Sequence, residues 1–437
     1  MSTLPYSVSQ DIPVRHEADV VVIGGGPGGI GAAVMAARNG AKVLLVERFG
    51  CLGGMATMGE VQPFMPNHVQ GVCLDKPVYT DWLEQMYRYR PPKEADTSTR
   101  PGEYLHGSYR EISKDVAMLA AEDLCLEAGV ELLFHHTLVD AVVEDGKIAA
   151  AVLHSKSGFS AVKGKTFVDA TGDGDLAVLA GCEYEQGGPT GHCQPMTLCF
   201  KLANVHADRM PSRGEITELY HQARQAGEIH CLREDVLMFD WFEPDVFHFN
   251  TTRIIHRSGT NGQDLSAAEL EGRSQLREFL RFFRTRVPGF ENCRIHSVAH
   301  HIGIRETRRI KGLAWITVDD YRNCSKFPDS IARVHYFLDI HNPDGTGTER
   351  LHLPDDDWYE IPFGCVVAKD VNNLLIGGRP ISTDHGVHSS MRVMPPACTV
   401  GQAAGLGAAI ASKEGISAHD VDGQAVHDKL IEQGASL

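Results

Sequence analysis

The apolar residues fall in short blocks whose spacing changes along the chain, and the first two blocks carry the most information. Val20 to Ile23 is a continuous apolar run that stops at glycines; a segment of small residues follows, and a second run, Val43 to Val46, ends on an acid, Glu47. Short apolar runs bounded by turn residues read as buried strands, and with the helical stretch between them they predict a βαβ unit over roughly residues 18 to 48. Helical spacing returns over Glu111 to Ala128, where Ile112, Val116, Leu119, Ala120 and Leu124 recur on one face. Strands are expected at Glu131 to Phe134, Leu138 to Val143, Ile148 to Leu153 and Thr166 to Asp169, with a turn at Glu144-Asp145-Gly146. From about 186 to 355 polar stretches lengthen and several helices are expected. One of these should open with a capping box, Ser266 to Glu269, and stop at Pro288-Gly289. Strand texture resumes at Trp358, ends in Leu374-Leu375-Ile376-Gly377-Gly378, and leads to a small-residue helix, Gly401 to Ala411. Residues 49 to 108 show no such period, and so long a connection in a compact domain is usually functional.

Gly24, Gly26 and Gly29 fit G-x-G-x-x-G where the pattern has physical meaning, after a strand and at the mouth of a helix. The first glycine permits the tight turn, the second lets backbone approach a pyrophosphate, and the third lets helix and strand pack closely. Gly24, Gly26, Pro27, Gly28 and Gly29 are therefore expected around a pyrophosphate seated on the helix N-terminus, where unpaired N–H groups favour an anion. Glu47 is placed to accept hydrogen bonds from a ribose diol, with Arg48 beside it.

Composition narrows the class. A chain of 437 residues should divide into two or three domains. The formal charge of −16 leaves no excess of Lys and Arg to neutralise phosphates, so nucleic acid and anionic membrane are not expected partners. A small-molecule substrate and a homo-oligomer remain compatible. The first residues lack the apolar stretch of a signal peptide and no run approaches a membrane span. Eleven cysteines are scattered without C-x-x-C pairs or zinc-ligand spacing, which fits reduced thiols in a cytoplasm and gives no expectation of a metal site.

Four separated segments then point to one family: VVIGGGPGGIGAA with VLLVER, CLGG just after it, DATGDGDLA, and IPFGCVVAKDVNNLLIGGRPIS with SSMRVMPPACTVGQAAG. In this order the chain resembles FAD-dependent oxidoreductases of the glutathione-reductase-like flavoprotein superfamily, in particular bacterial flavoproteins related to fumarate reductase and GidA. The resemblance implies an α/β fold with a discontinuous Rossmann-like FAD-binding domain, residues 1–185 and 356–437, and an inserted α+β substrate domain, residues 186–355. It implies non-covalent FAD, and it extends the cofactor contacts to Gly53, Gly54, Val139 (at the adenine edge), Ala170, Thr171, Gly172, Gly378 and Arg379. Asp173 is expected to cap the segment after this turn. The helix opening near Cys398 to Gly401 is expected to aim its N–H groups at the flavin, unless Gly401 serves only close helix packing.

Several signatures of relatives are missing. Cys51 stands alone, so dithiol chemistry is not expected, and no second glycine fingerprint marks a separate NAD(P)H domain. The reading is an oxidoreductase moving a hydride between flavin N5 and a small organic substrate; a GidA-like tRNA-modifying flavoprotein and a flavin-carrying electron-transfer subunit are the alternatives. Such chemistry needs a proton-transfer group and a clamp for the substrate. His388 and Arg392, just before the flavin-facing helix, and His301 and Arg305, expected opposite them, are the candidates, with Tyr336 behind.

Overall fold

The computed structural model describes Leu4 and residues 11–89 and 113–437. The predicted βαβ unit forms as β1 (Val14–Ile23), α1 (Pro27–Arg38) and β2 (Val43–Val46), with Val20 to Ile23 and all of β2 buried. Both strands are buried on both faces, which is why they read as unbroken apolar runs. The helix expected from Glu111 is Lys114–Glu127; residues 111 and 112 lie outside the described ones. In the stretch expected to be irregular, α2 (Val78–Arg88) packs Val78, Tyr79, Trp82, Gln85 and Met86 inward. That spacing is helical, but the polar residues between these positions mask it.

One sheet organises the fold. Strand β3 (Glu131–Leu133) pairs with β2, β2 with β1, and β1 with β6 (Gly158–Asp169), all in parallel. Strands β4 (Thr137–Glu144) and β5 (Lys147–Ser155) form a hairpin whose second strand runs antiparallel to the first half of β6. Along the other half of that edge, β7 (Leu374–Ile376) returns from the far end of the chain and pairs in parallel, Leu374 opposite Phe167. The strand expected at Thr166 to Asp169 is thus the end of a longer one, whose first half mixes polar and apolar residues because it belongs to the hairpin. Residues 200–298 build a separate four-stranded antiparallel sheet, and the long helix Gly262–Arg286 covers it. A Phe-rich core lies between them; Phe200 and Phe249 stack at 5.0 Å, Phe283 and Phe290 at 4.8 Å. That helix starts earlier than the expected capping box. Asn261 is its cap, accepting from the amides of Gln263 and Asp264, while Glu269 instead accepts from the Ile302 amide.

The segment expected as one insert, 186–355, divides among several cores, a smaller one holding Leu198, Ile254 and Ile302. Residues such as Phe200 and Phe283 sit in the Phe-rich core, whereas Ile310, Tyr321, Val334 and Leu353 join the core of the parallel sheet. The last long helix, α3 (Met394–Glu414), begins seven residues before the expected Gly401 and lies along α1. A Cβ on Gly405 would come 2.0 Å from the Ala32 carbonyl oxygen, and one on Gly401 2.0 Å from that of Gly28. Behind α3, the Asp75 carboxylate is buried; Thr399 Oγ1 (2.7 Å) and Asn67 Nδ2 (3.2 Å) donate to one oxygen and the other has no partner. Burial outweighs these two bonds and pushes this carboxyl up to about 7.

The helix seam and the buried acid each set an expected outcome. In an exposed helix, glycine to alanine stabilises by about 1 kcal/mol; Gly405→Ala should instead destabilise by about 1–3 kcal/mol in urea unfolding, because the helices must part. Gly214→Ala, which meets no atom within 4 Å, should not destabilise. For Asp75, the folded chain holds the proton more tightly than the unfolded chain, whose pKa is near 3.8. Its contribution is therefore complete below that pH and lost as pH rises through about 7. Between about pH 5 and about pH 8, wild type should lose stability relative to Asp75→Asn, measured by urea midpoints.

Candidate active site

A cavity of ≈ 380 Å³ opens at the C-terminal ends of β1, β6 and β7 and continues towards the four-stranded sheet. Its first end is built by the glycine turn. Gly24 has φ +105°, and a Cβ there would lie 2.3 Å from the Ala170 carbonyl oxygen, so only glycine fits. Gly26 differs: the nearest atom to an added Cβ is Gly54 Cα at 4.0 Å, so its face is open to the cavity. Gly24, Gly26, Pro27, Gly28 and Gly54 line the cavity; Gly29 and Gly53 lie behind it, Gly53 donating its amide to the Gly25 carbonyl at 2.8 Å. Glu47 is 6 % exposed and locked by backbone, with Gly25 N donating to Oε2 (2.7 Å) and Phe49 N to Oε1 (2.8 Å). Arg48 lines the same end, its guanidinium 4.8 Å from the Phe49 ring centre.

The Ala170–Asp173 turn forms the floor. Asp169 accepts from the Thr171 amide (3.0 Å), the Thr171 hydroxyl (2.7 Å) and the Ala177 amide (2.9 Å), and burial pushes its carboxyl up to about 6. Asp169 and Thr171 thus satisfy the backbone that Asp173 was expected to cap. Asp173 instead accepts from Thr307 Oγ1 (2.9 Å) and Arg379 Nη2 (2.6 Å). Arg379 also donates Nε to the Gly172 carbonyl (2.7 Å) and Nη1 to that of Ile304. It lines the cavity beside Gly378, with its donors already committed to three loops. The α3 N-terminus contributes Val393, Met394 and Ala397. Gly401 lies inside the helix on Gly28, so the expected opening at Cys398 to Gly401 is displaced by about one turn; Pro395 at the start suits the first turn, which needs no donor. Val139 is 38 % exposed on β4 and does not line the cavity.

The second end is cationic. Arg233, Arg305, Arg350 and Arg392 line it with Tyr336, Asp339 and His341. Arg305 donates to the Pro195 carbonyl (2.6 Å); burial, then the charges of Arg392 and Arg233, bring it down to about 9. Arg392 reaches Gln194 Oε1 (3.4 Å) and the Asp339 carbonyl (3.3 Å), and its Nε has no hydrogen-bond partner. Burial alone would raise Asp339, but His341 at 3.3 Å and the Arg392 and Arg305 charges hold it well below the usual carboxylate range. Thr348 Oγ1 donates to Glu234 Oε1 (2.6 Å) and lies 2.9 Å from His341 Nδ1. The other ring nitrogen, Nε2, lies 3.3 Å from Asp339 Oδ2, and burial with the Arg305 charge brings the imidazole's pKa down to about 3.

Two expected residues are elsewhere. His388 is fully buried one helical turn before Arg392; neither ring nitrogen has a hydrogen-bond partner, and burial drives its pKa well below the usual value. It lines no part of the cavity, because its side chain packs into the core. His301 donates Nδ1 to the Ile302 carbonyl (2.7 Å), and its Nε2 lies 3.4 Å from Arg48. It therefore stands beside the Glu47 end instead of opposite Arg392. Arg233, Asp339, His341 and Arg350 were not singled out from the sequence, and no motif surrounds them.

A parallel sheet with a glycine turn, a locked acid and a cavity at the strand ends defines a dinucleotide-binding enzyme. The profile described as FAD dependent oxidoreductase matches residues 19–430, and the chain belongs to that family. FAD is its cofactor. It is 29 % identical over 157 residues to the digeranylgeranylglycerophospholipid reductase of Thermoplasma volcanium, covering 35 % of this chain and 39 % of that one. It is 30 % identical over 179 residues to the leghemoglobin reductase of Vigna unguiculata, covering 39 % and 30 % respectively. The matches thus span well under half of these relatives. Among solved structures, a geranylgeranyl bacteriochlorophyll reductase-like protein from Thermoplasma acidophilum shares 14 % identity at TM-score 0.46, over 96 % of this chain and 84 % of that one. The p-nitrophenol 4-monooxygenase of Pseudomonas putida shares 10 % at TM-score 0.46, over 95 % and 84 %. Among the described residues no helix is long and apolar enough to cross a membrane.

Gly26→Val should leave the unfolding midpoint of the apoprotein unchanged, since nothing in the protein occupies that space, yet abolish the yellow colour of the purified protein. Glu47→Gln should weaken FAD in apoprotein titrations by about 1–3 kcal/mol, through loss of a charged acceptor.

Proposed function

We propose that this enzyme oxidises or reduces a small anionic substrate, a carboxylic acid, held at the cationic end of the FAD cavity. The observation behind this reading is the convergence of Arg233, Arg305, Arg350 and Arg392 on one end of a cavity whose other end is the dinucleotide cradle. Arginine forks suit carboxylates, and Arg392 keeps an unpartnered Nε in a buried setting where a charged partner counts for most. FAD, held non-covalently by the glycine turn, Glu47 and the Ala170–Asp173 floor, supplies two-electron chemistry at N5 when bound.

The protein supplies clamp and proton transfer. Arg305 and Arg392 fix the carboxylate, with Asp339 keeping them apart in charge and orientation. His341 moves the proton. In the resting site Arg305 suppresses its basicity, and a bound anion offsets that charge, so His341 becomes a better base when substrate is present. Tyr336, whose phenol burial pushes upward, stays protonated as a hydrogen-bond donor. A built pocket of this kind favours a small substrate over the tRNA-modifying and electron-transfer alternatives. Eleven free thiols accord with a reducing cytoplasm.

Anaerobic mixing with a library of small carboxylic acids and neutral analogues tests the reading. Bleaching by acids and not by their amides or esters supports it, whereas equal bleaching by the neutral analogues overturns it. With the active acid in hand, Arg392→Lys and His341→Gln should each slow flavin reduction about 10²-fold or more with FAD content retained. His388→Ala should leave the rate nearly unchanged where it folds.

A further inference from the structure

On the surface near the cationic end, three loops distant in sequence converge on a single oxygen. His192 Nδ1 lies 2.5 Å and His256 Nε2 3.0 Å from Asp344 Oδ1. The three donor atoms all fall within 4.8 Å of one another, and the two imidazole rings sit 4.5 Å apart at 47°. We propose that His192, His256 and Asp344 form a binding site for a divalent transition-metal ion of the zinc class, which clamps these loops together.

Two imidazole nitrogens and one carboxylate oxygen are the donor set of zinc and its neighbours, not of magnesium or calcium, which take oxygen ligands. Side-chain exposures of 46 %, 48 % and 36 % leave room for water to complete the coordination. Ligand bonds near 2.1 Å in a tetrahedron place donors roughly 3.4 Å apart, so His192 and Asp344 must part by only about 1 Å. Exposed side chains can make that adjustment. Residue 256 adopts φ +56°, a conformation that non-glycine residues seldom take and that fixes where its ring projects.

The ion would act on the rim of the cavity. The loop carrying His192 also presents Gln194 Oε1 to Arg392 and the Pro195 carbonyl to Arg305, and Asp344 lies three residues after His341. The metal site does not rest on the substrate proposed above, since its ligands neither line the cavity nor touch the residues assigned to proton transfer.

The test uses full-length holoprotein without a polyhistidine tag, stripped with chelator. Wild type should take up one more equivalent of Zn²⁺ than His256→Ala or His192→Ala, with affinity at that site reduced about 100-fold or more in each variant. Co²⁺ should give a visible d–d band that both variants and Asp344→Asn lose, and Zn²⁺ should raise the thermal midpoint of wild type alone. Equal Zn²⁺ uptake and identical Co²⁺ spectra in wild type and variants would overturn the proposal, showing binding at other histidines only. A band that survives in Asp344→Asn but not in the histidine variants would remove the carboxylate from the site and overturn the three-ligand form.

Discussion

The seam where α1 and α3 run backbone against backbone is the constraint on which the rest of the molecule depends. Helices of ordinary composition pack about 8–10 Å apart because side chains intervene. Here Gly401 and Gly405 meet the carbonyls of Gly28 and Ala32, leaving no room even for a methyl group. That approach carries the C-terminal return onto the nucleotide fingerprint. It sets β7 against β6, lays Gly377 and Gly378 beside Gly28, and delivers the α3 N-terminus to the cavity. The two ends of the chain therefore share one sheet, and both line the cavity at its strand ends.

The two ends of the cavity use different physics. At the nucleotide end the charged side chains are spent on the protein: Glu47 on two amides, Asp169 on the turn, Arg379 on Gly172, Ile304 and Asp173. Such commitments hold backbone in place ahead of ligand, so little reorganisation is left for binding. At the other end Arg305 and Arg392 repel each other, and Asp339 only partly offsets them. An unsatisfied concentration of positive charge in a buried site is costly, and an anionic ligand relieves it. The same field suppresses His341.

Much of the nucleotide end was legible because its determinants are local. The strand, the glycine turn, the helix and Glu47 lie within about thirty residues, and steric rules fix what each glycine can be. The hairpin, the Ala170–Asp173 turn and the β7 return were also readable, each as a short apolar run beside a turn. Errors arose where local signals compete. Ser266 and Glu269 make a plausible cap, yet Asn261 satisfies the earlier amides and Glu269 is drawn to Ile302. Gly401 looked like a helix opening, but small residues serve a packed seam equally well, and the helix begins at Met394. His388 stood next to Arg392 in sequence, but a full turn of helix separates core from cavity.

The sequence by itself determined the class of fold and the strand–glycine turn–helix unit, because these rest on contacts between near neighbours and on backbone geometry that only particular residues allow. The flavin was legible through the resemblance carried by four separated segments. At the far end the sequence offered Arg305, Arg392 and Tyr336, and tertiary structure alone added Arg233, Asp339, His341 and Arg350. Arg233, Arg305, Tyr336 with His341, and Arg392 come from four stretches with no shared spacing, and His192, His256 and Asp344 from three loops. Their meeting is set by how the Phe-rich core seats its sheet against the parallel one, and by which residues from 310 onward join which core. Long-range packing leaves no periodic trace in the chain, so the full set of groups at this end becomes visible only once the cores are in place.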